Sequence, residues 1–231
     1  MTWKTADGEV TCPVRDLAGA PVSWFGSVRT FTWRRSQRHR PGLQYLVSTG
    51  RHHGFESLEE ARLLMVLDFA AAVVDVLAQP VRLKFATSSG WRKHIPDFLA
   101  VTRRGVWLID VRPRALLDEQ TRISFAAAAE AALAAGWHYV VVAGWRAHVE
   151  TTLGTLSSQR RPLSDPLGLR PGLLEAAADG GATFGELAER SDVPAVARAQ
   201  LLHLLWHRRL GIDLAEPLTD RSTVVLQGDL R

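Results

Sequence analysis

Between residues 21 and 50 apolar and polar positions alternate around Arg, Gly and Pro breaks, a pattern of short strands or a hairpin. The period changes at Ser57. In SLEEARLLMVLDFA, Leu63, Leu64 and Leu67 recur at helical intervals, and Glu60 follows Ser57 at capping-box spacing, so a helix covers roughly 58 to 71. VVDVLAQPVRLKF reads as a turn into a strand near 81 to 86, and Ser88-Ser89-Gly90 as a turn. HIPDFLAVT and GVWLIDVRP are two β-rich runs separated by Arg103-Arg104-Gly105, which predicts a hairpin of adjacent strands. Residues 117 to 135 are Ala-rich and helical, with Gly136 a good C-cap residue, and WHYVVVAG is a buried strand. A β-β-β-α-β sheet flanked by helices is an α/β architecture.

The pattern shifts again at 154–172, where SSQRRPLSDPLGLRPG has the serine, proline and glycine content of a linker. Three helical stretches follow: LLEAAADG, TFGELAERSD with Thr183 and Glu186 at capping-box spacing, and PAVARAQLLHLLWHRRLG with Pro194 in its first turn. GIDLAEPLTDRSTVVL suggests a small hairpin, and three helices before a two-stranded wing make a winged-helix-like domain. The expected organisation is a basic extension with short strands over 1–55, a core over 56–153, a linker over 154–172 and a winged-helix-like domain over 173–231.

Composition removes several classes. The 231 residues are 46% hydrophobic with a mean hydropathy of -0.03, which fits a globular chain and not a disordered one. Cys12 is the single cysteine, so neither an internal disulfide nor a zinc–cysteine cluster can form. MTWKTADGEV holds no apolar secretion segment, and the apolar stretches are too short to span a bilayer, so a cytoplasmic location without membrane partners is expected.

The net charge of +4 is concentrated early in the chain. Residues 1–55 carry eight Lys/Arg against three acids, and no acid falls between Asp16 and Glu56. There Arg29, Arg34, Arg35, Arg38, Arg40 and Arg51 are interleaved with Trp24, Phe25, Phe31, Trp33 and Tyr45, followed by His52 and His53. Guanidinium groups neutralise phosphates and aromatic rings stack on bases, so these cations and histidines are candidate contacts to nucleic acid. An Arg-rich strand pair with inward-packing aromatics is the plainer alternative.

The candidate chemistry lies in the hairpin. Asp97 is in PDF on one strand and Asp110 in IDVRP on the next, and two carboxylates on adjacent strands can share one hard cation. Arg112 lies two residues beyond Asp110, on the same strand face, where its charge could meet a phosphate. Glu60 reaches the same place if its helix packs across the sheet end. Metal-assisted phosphodiester hydrolysis needs this set of groups. Each has a plainer role: a helix cap for Glu60, a turn for Asp97, a surface ion pair for Asp110 and Arg112. A carboxylate beside Leu108, Ile109 and Val111, however, needs a strong reason to be there.

GFESLEEARLLMVLDF, VVDVLAQPVRL, HIPDFLAV, VWLIDVRP and AAGWHYVVV resemble, in order and spacing, the TnsA-like endonuclease subunits of heteromeric transposases. The resemblance spans roughly residues 24 to 145 and implies the restriction-endonuclease-like PD-(D/E)xK fold. It implies an Mg²⁺-dependent endonuclease, with Mn²⁺ as a substitute ion, that cuts double-stranded DNA at transposon ends. The expected partners are a DDE-type transposase subunit and an ATPase regulator. The family's helix glutamate falls on Glu60, its strand acids on Asp97 and Asp110, and its catalytic lysine on Arg112; Val111 joins the three acids as a metal position. Arginine keeps the charge but cannot act as a general base. A stand-alone restriction or repair nuclease, and an impaired nuclease fold kept for DNA binding and assembly, are the alternatives. The C-terminal region resembles the family's accessory segment, with Arg198, His203, His207, Arg208 and Arg209 on its third helix available for phosphate contacts, while the acidic tail with Asp213, Glu216 and Asp220 makes protein binding an equal expectation.

Overall fold

In the computed structural model, which describes residues 1–19, 22–29, 41–70 and 72–227, the chain opens with two short antiparallel hairpins. β1 (Thr2–Thr5) pairs with β2 (Gly8–Thr11), and β3 (Gly42–Leu46) with β4 (Arg51–Phe55). Helix α1 (Leu58–Ala70) starts where the Ser57 hydroxyl accepts from the Glu60 N–H at 3.2 Å. Near its other end the buried Asp68 accepts from the Val47 and Ser48 N–H groups, fixing the turn after β3.

β5 (Val73–Ala78) comes next, then a ribbon of β6 (Leu83–Thr87) and β7 (Gly90–His94), the hairpin of β8 (Phe98–Thr102) and β9 (Gly105–Val111), helix α2 (Glu119–Ala134) and β10 (His138–Val142). The central sheet has the order β10-β9-β8-β5. β8 is antiparallel to both neighbours, and β10 runs parallel to β9, the direction that a crossover through α2 imposes. α2 is capped by Asp118, which accepts from the Thr121 N–H at 2.7 Å, and ends before Gly136, whose φ of 72° suits glycine. The architecture is mixed α/β, a central mixed sheet flanked by helices.

One core joins this sheet to the first hairpin. Leu99 and Leu108 pack with Ala128, Ala131, Ala132 and Ala135 of α2, whose small side chains allow close approach, and with Met1, Trp3, Leu17, Phe25 and Val28. Trp3 stacks on Phe25 at 5.0 Å, and Phe25 meets Trp137 edge-on at 6.0 Å. Among the described residues of 1–55, Met1, Trp3, Leu17, Phe25 and Val28 supply part of this core, and Met1–Gly144 forms one unit.

The second unit, Trp145–Arg231, contains α3 (Ala147–Ser157), α4 (Leu169–Ala178), α5 (Phe184–Glu189), α6 (Pro194–Trp206) and a minimal pair, β11 (Leu210–Gly211) with β12 (Val225–Leu226). The stretch expected as a linker over 154–172 holds the end of α3 and the start of α4. Its backbone between them is tied down: the carbonyls of Gln159, Leu163 and Ser164 accept from His203, Arg170 and Gln200. The Asp165 carboxylate accepts from the Leu169 and Arg170 N–H groups. α6 packs into the core of this unit through Ala197, Leu201, Leu204, Leu205 and Trp206. Arg198, expected to contact phosphate, is clamped by Asp220 at 2.5 and 3.0 Å, and His203 is buried. Among the described residues, no helix is long and apolar enough to cross a membrane.

Candidate active site

Phe98 pairs with Ile109 across the antiparallel β8–β9 ladder, so Asp97 and Asp110 stand opposite each other one step beyond that pair. Like charges directly opposite on adjacent strands repel. Asp110 is 1% exposed, and burial with the Asp110 charge pushes Asp97 up to about 8, despite a 2.7 Å hydrogen bond donated to its Oδ2 by the Val111 N–H. The charges of Glu60 and Glu56 push in the same direction. Four carboxylates thus converge electrostatically on the end of β8.

Asp110 is held from two sides. His94, at the end of β7, places Nε2 at 3.0 and 3.1 Å from its two oxygens, and Tyr139 on β10 donates its phenolic O–H to Oδ2 at 2.7 Å. Tyr139 pairs with Leu108 and Val141 with Asp110, so strand alternation puts Tyr139 and Asp110 on one face of the sheet. Burial and the Asp110 charge raise the Tyr139 pKa, keeping the phenol a proton donor. The His94 ring in turn rests edge-on against Phe125 of α2 at 5.9 Å.

Gln79 sets the other flank. It is buried with φ at +49°, a left-handed conformation that non-glycine residues adopt only when surroundings impose it. Its N–H donates to the Asp97 carbonyl at 2.7 Å, its carbonyl accepts from Val28, and its Oε1 accepts from Arg29 Nε at 3.1 Å. His94, Tyr139 and Gln79 were not among the residues expected from sequence. Tyr139 had a signal, as a polar side chain in the apolar run YVVV; His94 had its place three residues before Asp97. Gln79 had none, since backbone strain leaves no trace in composition.

The remaining expected residues fall less neatly. Glu60 is buried and near enough to raise the Asp97 pKa, but its carboxylate accepts from the Glu56 N–H at 2.8 Å and the Ser57 hydroxyl at 3.0 Å. It caps its own helix. Arg112 is exposed and donates from Nε to the Leu116 carbonyl at 3.2 Å, with its charge beside Asp118. Val111 contributes its N–H to Asp97. Among the described residues, no three His, Cys, Asp or Glu side chains come together as a metal-ligand group. Of the expected set, the Glu60 carboxylate is hydrogen-bonded within its helix cap, and its charge acts on Asp97. What is assembled is the pair Asp97 and Asp110, with the Val111 N–H on only one of the two Asp97 oxygens.

The expected nucleic-acid contacts also divide. His53 is a correction: it is 7% exposed, with Nδ1 at 2.8 Å from the Val76 carbonyl and Nε2 at 2.7 Å from the Thr49 hydroxyl. Burial lowers its pKa, and it links β4 to β5 and is not a surface contact. His52 is exposed with its ring against Tyr45, and Arg51 is ion-paired with Asp75. Arg34, Arg35, Arg38 and Arg40, with Phe31 and Trp33, lie outside the described residues. Arg29 is at the site itself, paired with Glu56 and lining a cleft of about 340 Å³ with Gln79, Arg82, Lys93, His94, Ile95 and Asp97. The cleft brings Arg29, Arg82 and Lys93 beside the half-buried Asp97, although Arg29 is paired with Glu56 and Arg82 lies 3.9 Å from Glu9.

No model of a known protein family matches the chain, and no curated protein matches it.

Proposed function

We propose that this chain is an Mg²⁺-dependent DNA endonuclease of restriction-endonuclease-like fold, the subunit of a transposase that cuts double-stranded DNA at transposon ends. The observation that carries the reading is the opposed pair of the half-buried Asp97 and the buried Asp110 beside a cleft lined by cations. Two desolvated carboxylates side by side are costly when both are charged unless a cation shares them, and without one Asp97 keeps its proton up to about pH 8. Their chemistry fits Mg²⁺, which takes one or two protein carboxylates and completes its shell with water and phosphate oxygens. The α-β-β-β-α-β succession of α1, β5, β8, β9, α2 and β10, with the ribbon inserted, also supports the reading.

The residues divide the work. Asp97 and Asp110 would hold the ion, while the Val111 N–H, His94 and Tyr139 fix their orientation. Mg²⁺, or Mn²⁺ in its place, would supply acidification of a bound water and charge compensation at a phosphoryl group. Arg29, Arg82 and Lys93 draw the phosphodiester backbone to the cleft. The DDE-type transposase subunit and the ATPase regulator belong to the proposal through the sequence resemblance alone.

A second reading, a nuclease fold retained for DNA binding and assembly, is favoured by one observation: Arg112 points to Leu116 and Glu60 into its helix cap. Nicking of labelled transposon-end duplex, with and without Mg²⁺ and with and without the partner subunits, tests both. Wild-type cutting that needs Mg²⁺ and disappears in Asp97→Ala and Asp110→Ala is the expected result. Cutting that survives both substitutions defeats the site assignment, and no cutting by the complete assembly selects the second reading.

A further inference from the structure

The β6–β7 ribbon has two unlike faces. Its register pairs Leu83 with His94, Lys84 with Lys93, Phe85 with Arg92 and Ala86 with Trp91. Residues directly opposite share a face, so Leu83, Phe85, Arg92 and His94 form one side and Lys84, Ala86, Trp91 and Lys93 the other. The first side is the structural one. Leu83 is 3% exposed, Phe85 packs on the core, and His94 holds Asp110. On the second side all four residues are exposed, Trp91 to 70%.

This outer face is poorly explained by folding. Two lysines directly opposite each other repel, and an exposed indole gains nothing from the fold. Lys84 Nζ sits 4.8 Å over the Trp91 ring, which organises cation and indole into one patch. The patch is continuous with the cleft, since Lys93 lines it alongside Arg29, Arg82 and Asp97.

We infer that the outer face of the β6–β7 ribbon is a docking surface for duplex DNA, with Lys84 and Lys93 against backbone phosphates and Trp91 against the groove wall. A two-stranded β-ribbon has the width to enter the major groove, and the patch has the charge to be drawn there. His94 makes the ribbon more than an anchor. The strand that carries Trp91 and Lys93 ends on the residue that orients Asp110, and Lys93 lines the cleft together with Asp97, so a duplex held on the outer face adjoins that cleft at Lys93. The inference rests on the nuclease reading for its substrate and adds where the duplex sits.

Binding is measured by fluorescence anisotropy of a labelled mixed-sequence duplex with the full chain in EDTA, where the ion needed for cutting is withheld. Lys84→Ala/Lys93→Ala is expected to weaken binding about tenfold and to reduce the slope of log K against log salt by about 2, one for each phosphate no longer neutralised. Trp91→Ala is expected to weaken binding about tenfold with the slope unchanged, because the indole carries no charge. Lys84→Arg/Lys93→Arg restores wild-type binding, and unchanged melting temperatures show that the fold is kept. Wild-type affinity and slope in the Ala variants overturn the inference; the same result with increased aggregation assigns the lysines to protecting an exposed strand edge. Loss of binding here, with cutting retained in Asp97→Ala and Asp110→Ala, sinks the active-site reading and leaves the ribbon as a DNA surface. Wild-type binding here, with cutting lost in those variants, does the reverse.

Discussion

Tyr139 and Asp110, on neighbouring parallel strands, are joined by a 2.7 Å hydrogen bond from the phenol to Oδ2. The same carboxylate also meets His94 Nε2, at 3.0 and 3.1 Å from its two oxygens. A buried carboxylate depends on such donors, because each one removed leaves an acceptor without water to replace it. Tyr139→Phe is therefore expected to destabilise the metal-free protein by about 1–2 kcal/mol in urea unfolding. His94→Ala combined with Tyr139→Phe should depart from additivity by on the order of 1 kcal/mol, since both partners act on one group. Additive losses would mean that the two do not share Asp110 as a common acceptor.

Asp97 gives stability a pH dependence of definite sign. The folded protein keeps it neutral up to about pH 8, whereas its ordinary value is 3.8. The folded state therefore holds a proton that the unfolded chain releases, and the stability so contributed is complete below about pH 3.8 and falls as pH rises through about 8. Asp97→Asn keeps an acceptor for the Val111 N–H and removes the ionisation. It should exceed the wild type in metal-free stability at pH 8, by up to about 5 kcal/mol, and match it near pH 4. Saturating Mg²⁺ should close the gap by stabilising only the wild type. A pH-independent difference would place the origin of the effect elsewhere than in Asp97.

The hydrophobic pattern made most of the fold legible. α1, the β8–β9 hairpin, α2 and β10 lie where their periods place them, because each buries one face against a shared core. Misplaced features had long-range causes. Trp3 and Phe25 read as part of a basic extension since nothing local says that Phe25 meets Trp137 and stacks Trp3 behind it. Residues 154–172 read as a linker since no composition reveals that His203, Arg170 and Gln200 reach back to its carbonyls. At the site, a carboxylate among Leu108, Ile109 and Val111 was conspicuous. Its partners were not, because His94 arrives from a ribbon and Tyr139 from a strand beyond a helix.

Glu60 can be a cap, a ligand or both, and two substitutions separate these roles. Ser57→Ala removes the hydroxyl that accepts from the Glu60 N–H and donates to its carboxylate, so it should cost about 1 kcal/mol of stability. Glu60→Gln preserves an acceptor for the Glu56 N–H and should cost less than about 0.5 kcal/mol. If the carboxylate turns toward the ion during cutting, Glu60→Gln lowers Mg²⁺-dependent nicking by a hundredfold or more, on the order expected for a missing charge at a reacting phosphate, with Ser57→Ala nearly unaffected. Equal and small effects on nicking would confine Glu60 to the cap.

Arg112 keeps a positive charge at the end of β9 and donates from Nε to the Leu116 carbonyl at 3.2 Å. An arginine parked in this way contributes little to a reacting phosphate, so Arg112→Ala should leave nicking within about threefold of wild type. Lysine at the same position has no Nε–H to bond Leu116 as arginine does, and its ammonium is a compact charge on a flexible stem. Arg112→Lys should then raise the single-turnover nicking rate by roughly tenfold or more. Both variants should keep their stability within about 0.5 kcal/mol of wild type, because the hydrogen bond to Leu116 lies at the exposed surface. A large loss of nicking in Arg112→Ala, with no gain in Arg112→Lys, would show that the guanidinium leaves Leu116 when DNA arrives and acts on the phosphate itself.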